Sequence, residues 1–319
     1  MNHVVMSALV IHGGAGVIRK DMSPEREQAI RAALNDALEH GYAALKAGQP
    51  ALDAVTAAIV VLEDAPYFNA GRGAVFTHDG RHELDAAIMD GATLRAGSVA
   101  GVEHVRNPIL LARAVMEHSP HVMLVGAGAE AFARTQGIVL AEPSWFRTEE
   151  RWQQLQETLR HDAAGEHAEA DHVRHFGTVG ALALDTAGRL AAGTSTGGMT
   201  GKRWGRVGDA PIIGAGTWAD ARCAVSGSGW GEFYIRTAAA ARIAARVELC
   251  GESVAMAADA IINGEIPALG GNGGAIALGA DGSMAMPFNT DGMFRGWVGA
   301  DGVAQVAIWN AGEEGRRAR

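Results

Sequence analysis

The chain has 319 residues, 48% of them hydrophobic and 20% charged, a balance that excludes wholesale disorder and fits one large domain or two ordinary ones. A formal charge of -9 leaves no basic footprint for a phosphate backbone, so nucleic acid is not an expected partner. No apolar run nears the roughly 20 residues of a membrane helix, and the opening MNHVVMSALVIHGG lacks the basic segment and cleavage site of a signal peptide. Two cysteines, Cys223 and Cys250, are too few for a disulfide framework and fit structural thiols in a reducing cytoplasm. The 43 glycines follow no three-residue period and point to tight turns and close backbone approaches, as enzymes use them.

In chain order, Ala8 to Ile11 predicts a buried strand running into the glycine turn His12-Gly-Gly-Ala-Gly16. Ser23 as cap, Pro24 at the first position and Gly48 as stop delimit a long helix. A second helix is expected over Ala51 to Asp64, then the glycine-broken loop Phe68-Asn-Ala-Gly-Arg-Gly73. Strands follow at Leu84 to Met89 and Ala96 to Val102, a helix begins at Asn107-Pro108, and Val122 to Val125 is a short strand. From about Thr148 to His175 charged residues crowd together and predict a mobile polar linker.

The sequence turns apolar at Thr178-Val-Gly-Ala-Leu-Ala-Leu184, a strand joined through Asp185-Thr-Ala-Gly188 to a partner over Leu190 to Thr194. Strands are also predicted at Ile212 to Gly216, Arg222 to Ser226, Ala275 to Leu278 and Ser283 to Met286. Helices are predicted over Glu232 to Leu249 and Ser253 to Asn263. Strands and helices cluster instead of alternating, which favours stacked sheets covered by helices over a parallel βαβ fold. The hairpin would return Thr194-Ser195-Thr196-Gly197-Gly198 beside Thr178, converging two hydroxyl sets just after Gly177.

An ordered set of motifs carries a family resemblance: His12-Gly-Gly-Ala-Gly16, Phe68-Asn-Ala-Gly71, Gly73-Ala-Val-Phe76, Glu83-Leu-Asp-Ala86, Gly177-Thr-Val-Gly180, Ser195-Thr-Gly-Gly-Met-Thr200, Gly205-Arg-Val-Gly-Asp209 and Pro287-Phe-Asn-Thr-Asp-Gly292. Over nearly its whole length the chain resembles the plant-type asparaginase and isoaspartyl peptidase family of N-terminal-nucleophile hydrolases. The resemblance implies an α+β fold, a four-layer αββα sandwich of two mainly antiparallel sheets, built as one domain over residues 1–319. It implies self-cleavage into 1–177 and 178–319, pairing of two cut units into a homodimer, and asparagine or β-aspartyl dipeptides as small-molecule substrates.

The chemistry fits these residues. A threonine hydroxyl needs a base, and a freed α-amine on Thr178, with a reference pKa of about 7.7 to 8.0, supplies one near working pH. By resemblance Thr196 tunes the nucleophile, and Arg206 and Asp209 grip the α-carboxylate and α-ammonium of the substrate beside Gly231. Ser228 and the Gly229 N–H would hold the oxyanion. Ser228 stands where threonine is usual, and Trp230 where a small residue is common; Trp230 either narrows the leaving-group side or packs in the core. The segment Leu62 to Arg72 resembles a sodium-binding loop, with backbone carbonyls of Leu62, Glu63, Ala65, Phe68, Ala70 and Arg72 as ligands. No cofactor is implied for the chemistry itself.

Other readings are weaker. Gly126-Ala-Gly128-Ala-Glu-Ala131 after an apolar strand matches a dinucleotide fingerprint, but a plain strand-to-helix corner explains it. His161, His167, His172 and His175 suggest a metal cluster but sit in the polar linker, and His12 reads as structural. Glycosylasparaginase, the rival within the enzyme class, typically has Asp at the place of Gly177. An inactive binding scaffold would not need Thr178, Thr196, Arg206 and Asp209 together.

Overall fold

The computed structural model describes residues 7–16, 18, 21–165, 177–310, 312 and 314. Strand β1 (Ala8–Gly16) is buried throughout. Helix α1 (Pro24–Lys46) starts as predicted: Ser23 accepts from the Arg26 N–H, Pro24 fills the first position, and Glu25 and Glu27 face the positive helix end. Its stripe of Ile30, Leu34, Leu38 and Leu45 is buried, and Gly48 just beyond takes φ +74°. Helix α2 (Ala51–Asp64) has the predicted bounds, with Ala54, Val55, Ala58, Ile59 and Leu62 turned inward.

After a 3₁₀ turn at Gly71–Gly73 come β2 (Leu84–Asp90), β3 (Ala96–Val102), α3 (Pro108–His118), β4 (Met123–Val125), α4 (Gly126–Thr135) and α5 (Pro143–Phe146). The β4–α4 junction is the plain corner that explains the dinucleotide-like glycines; a Cβ on Gly128 would meet nothing, so no close packing requires that glycine.

Helix α6 (Glu149–Ala164) corrects the linker expectation. Thr148 caps it, Glu149 and Glu150 occupy the first turn, Gly165 closes it in the left-handed region, and Arg151, Leu155 and Thr158 form one buried face. Surface charge hid a stripe at i, i+4, i+7 spacing. His161 therefore sits on a helix, while the rest of the linker, with His167, His172 and His175, lies outside the described residues. Among the described residues no group of three His, Cys, Asp or Glu could hold a metal.

The second half contributes β5 (Val179–Leu184), β6 (Leu190–Thr196), β7 (Thr217–Ala219), β8 (Cys223–Gly229), α7 (Gly231–Thr237), α8 (Ala239–Cys250), α9 (Val254–Asp259), β9 (Gly273–Gly279), β10 (Met284–Ala285), β11 (Gly292–Val298) and β12 (Ala304–Ala307). The predicted strand at Ile212 to Gly216 is instead a turn closed by Ile212 and Gly216 N–H groups on the Asp209 carbonyl. The predicted helix from Glu232 to Leu249 breaks at Ala238, φ +49°. There the Ala240 and Ala241 N–H groups donate to the Ala215 and Gly214 carbonyls, so this turn caps the second helix from outside. After α9 the helix widens into a π-helical turn at Ala260–Glu265.

Among the described residues one sheet has eight strands in the order β12-β11-β1-β5-β6-β2-β3-β4, and the other four, β10-β9-β8-β7. All pairs are antiparallel except β3 with β4. The sheets pack face to face, with Val10, Leu182, Ala192, Ala224, Ile276 and Leu278 between them. Helices α1 to α3 cover the outside of the large sheet, and α8 and α9 that of the small one. The architecture is the four-layer αββα sandwich, and no helix among the described residues is long and apolar enough to cross a membrane.

Candidate active site

The β5–β6 register sets Val179 opposite Ser195, so Thr178, one residue earlier, comes level with Thr196. The Thr178 hydroxyl donates to Thr196 Oγ1 at 3.1 Å, and the Thr196 hydroxyl donates to the Gly177 carbonyl at 3.2 Å. The Gly198 N–H, 3.0 Å away, holds Thr196 from the other side. Asn69 braces that loop, its Nδ2 donating to the Gly198 carbonyl at 2.7 Å and its own carbonyl accepting from the Gly197 N–H. Gly14, at φ +113°, skims the peptide: a Cβ there would lie 2.8 Å from Gly177 Cα and 3.0 Å from Thr178 N. A side chain at residue 14 would both strain the backbone and push this bond aside.

Behind Thr178 runs a buried polar chain. His12 Nε2 lies 2.8 Å from Ser226 Oγ, Ser226 Oγ 2.8 Å from Thr194 Oγ1, and the Thr217 hydroxyl donates to Thr194 at 2.6 Å. Burial pushes the His12 imidazole down to about 3, against a backbone hydrogen bond with Thr178 that pulls it up, so His12 is neutral at working pH. This chain ties β1, β6, β7 and β8 together directly under Thr178.

Thr178, Thr196, Gly229, Arg206 and Asp209 line one pocket, with Gly177 also in its wall. Arg206 is gripped by Glu232, Nε to Oε1 at 2.9 Å and Nη2 to Oε2 at 2.8 Å, while its Nη1 makes no hydrogen bond among the described residues. Asp209 is buried; desolvation raises its carboxyl to about 6 against the pull of Arg206, and its Oδ2 has no hydrogen-bond partner among the described residues. Gly231 must be small, because a Cβ would stand 2.8 Å from Asp209 Oδ1 and 3.0 Å from Arg206 Nη2. With the chain continuous the free space is about 10 Å³, roughly what one water needs.

Ser228, buried on β8, accepts from the Ala15 N–H at 3.0 Å, which leaves its own proton to donate. Trp230 resolves into neither of its two expected roles cleanly: it is half-buried at the start of α7, edge-to-face with Phe233 at 5.2 Å.

At the loop resembling a sodium site, Leu62 and Glu63 end α2, and Gly71, at φ +48°, folds back so closely that a Cβ would lie 2.3 Å from the Glu63 carbonyl oxygen. A Cβ on Gly73 would lie 2.1 Å from that of Phe68. The Glu63 and Phe68 carbonyl oxygens are thus packed against the backbone of Gly71 and Gly73. The Glu63 side chain points elsewhere: Oε1 accepts from Ser195 Oγ at 2.6 Å and the Ile109 N–H at 3.0 Å, and burial raises the carboxyl to about 8.

A family model described as asparaginase matches residues 5–308. The chain belongs to this asparaginase family. Among its relatives, the isoaspartyl peptidase of Salmonella typhimurium is 53% identical, over 95% of this chain and 98% of the relative. That of Escherichia coli is 51% identical, over 95% and 96%. The plant-type L-asparaginase of Pyrococcus abyssi is 48% identical over 74% of this chain and 77% of its own. Asparaginase-family motifs in the sequence located Thr178, Thr196, Arg206 and Asp209, which the fold gathers into one pocket. They did not reveal Glu232 as the clamp on Arg206, because partners 26 positions apart leave no spacing signal. Nor did they reveal Ser226 and Thr217, whose meeting with Thr194 depends on two sheets facing each other.

Proposed function

We propose that the chain is a self-cleaving threonine amidohydrolase that cuts between Gly177 and Thr178. It then hydrolyses the side-chain amide of L-asparagine and the isopeptide bond of β-aspartyl dipeptides. In maturation Thr178 Oγ1 attacks the Gly177 carbonyl carbon, the C–N bond breaks, and the proton lost by the hydroxyl ends on the departing nitrogen. Water then hydrolyses the ester, leaving an α chain of 1–177 and a β chain opening with a free amine. The observation that carries this reading is the hydrogen-bonded run Thr178, Thr196, Gly177 carbonyl, which sets the nucleophile and the polarised carbonyl side by side.

In the mature enzyme the Thr178 amine takes the hydroxyl proton and later returns it to the leaving amine. Arg206 and Asp209 fix the zwitterionic head, so only the β-carbonyl reaches Thr178. Ser228 and the Gly229 N–H hold the charge on the tetrahedral oxygen, and the β-aspartyl ester is finally released by water. The names of the relatives from Salmonella typhimurium and Escherichia coli support the isoaspartyl substrate, and that from Pyrococcus abyssi supports asparagine. The tight pocket of the uncut chain supports activity only after maturation.

A structural sodium ion held by carbonyls of Leu62, Glu63, Ala65, Phe68, Ala70 and Arg72 would stiffen the loop that carries Asn69. Two cut units would pair, for which the exposed Met123 and Val125 on edge strand β4 offer apolar surface. Free Cys223 and Cys250 suit a reducing cytoplasm.

Purified protein should run as two fragments on a denaturing gel, with Thr178 at a new N-terminus by mass. Thr178→Ala should give one band and no turnover of either substrate. Two fragments from that variant would overturn the assignment.

A further inference from the structure

Strand β8 ends and β9 begins on glycine, with Gly229 set opposite Gly273. The two backbones nearly touch: a Cβ on Gly273 would lie 2.6 Å from Gly229 Cα, and one on Gly229 would lie 2.8 Å from Gly273 Cα. Neither residue has a side chain to hold it. Gly273 moreover sits at φ +145°, a conformation that leaves a glycine free and that other residues rarely adopt.

What holds Gly273 is Asn289, on the loop between β10 and β11. The Gly273 N–H donates to Asn289 Oδ1 at 2.8 Å, and the Asn289 N–H donates to the Gly273 carbonyl at 3.0 Å. Asn289 Nδ2 donates in turn to the carbonyl of Ile262, a buried residue of the π-helical turn, at 2.6 Å. Asn289 is itself exposed, but its amide is tied at both ends to backbone.

Both backbone groups of Gly273 are thus engaged by Asn289, which leaves Gly229 facing it across the closer, non-hydrogen-bonded kind of antiparallel pair. The next bond along, from the Trp230 N–H to the Asn272 carbonyl at 3.1 Å, ties the far side of Gly229 to the same turn. Along β8 the N–H groups alternate in direction. That of Gly227 donates to the Gly216 carbonyl, on the side away from β9. The Gly229 N–H, two residues on, points the same way, past the first pair of β7 and β8 at Thr217 and Ser226. There Gly229 and Thr178 line the pocket together.

We propose that Asn289 is a positioning residue for the oxyanion: by fixing Gly273 it fixes the direction of the Gly229 N–H across the strand pair. The proposal rests on the amidohydrolase reading above, in which that N–H holds the charge of the tetrahedral oxygen, and adds a residue that lies outside the pocket wall.

The test compares kcat and KM for L-asparagine and β-aspartyl-leucine in the natural chain, in Asn289→Ala and in Asn289→Asp, with rates taken per cut chain. Asn289→Ala removes the acceptor for the Gly273 N–H. It should lower kcat by roughly 10- to 100-fold, the loss expected of a misplaced transition-state donor, and leave KM within about twofold. Asn289→Asp keeps an oxygen for that N–H, loses the donor to Ile262, and should restore most of kcat. A role confined to bracing the π-helical turn predicts instead that Asp is as damaging as Ala. An unchanged kcat in Asn289→Ala, a loss that falls on KM, or no recovery in Asn289→Asp overturns the positioning role while leaving the amidohydrolase intact. So does an Asn289→Ala chain that stays whole where the natural chain cuts, since the residue then serves the architecture at large. A natural chain that hydrolyses neither substrate sinks the amidohydrolase reading, and this one with it.

Discussion

The hydroxyls of Thr178 and Thr196 stand 3.1 Å apart, and Thr196 passes its own proton toward the Gly177 carbonyl 3.2 Å away. One side chain thus touches both the attacking oxygen and the bond it would attack. Replacing Thr196 with Val keeps the shape and removes the hydroxyl. Removing one polarising donor of this kind costs roughly 10²-fold in rate. Self-cleavage of Thr196→Val, followed by gel from freshly translated protein, should slow by about that factor; cutting at the natural rate would show that the contact is incidental.

Ser228 accepts from the Ala15 N–H, so its remaining proton is free for an oxyanion. Ser228→Ala should lower kcat for L-asparagine by roughly 10²- to 10³-fold with a smaller change in KM. Ser228→Thr should retain activity, since the donor survives and the added methyl only narrows its rotamers. A Ser228→Ala enzyme altered in KM alone would contradict an oxyanion role.

Burial raises the Asp209 carboxyl to about 6, with Arg206 pulling it back down. Substrate capture by this group needs the ionised form, present above that value and lost as pH falls through it. The Thr178 amine, with a reference pKa of about 7.7 to 8.0, must also be neutral, which gives a limb at higher pH. The plot of log kcat/KM against pH should therefore fall with slope one below about 8 and steepen toward two below about 6. Asp209→Asn should show slope one throughout. A natural enzyme with a single slope down to pH 5 would remove Asp209 from substrate capture.

Where local chemistry decides structure, the sequence was legible. Ser23 with Pro24, the apolar stripe of α2, and Asn107 before Pro108 each mark a helix start or face that the fold keeps. Thr178 was legible because an apolar strand opens directly on it and a hairpin returns Thr196 beside it. What failed depended on distant partners. Ala238 breaks a helix that alanine would otherwise continue, because the carbonyls of Gly214 and Ala215 cap the next one. Helix α6 was masked by its charges, although Arg151, Leu155 and Thr158 share a buried face. Strands β11 and β12 were missed because their place is set by the β1 edge against which β11 lies.

The strand order of the large sheet would govern the fate of the two pieces that the proposed scission leaves. β1, from the first piece, is flanked on both sides by strands of the second, β11 and β5, while β6 of the second lies against β2 of the first. The two products are thus interleaved like the fingers of folded hands. Cutting before Thr178 releases an amine and leaves every one of those ladders closed, so the halves could dissociate only by melting the sheet that joins them.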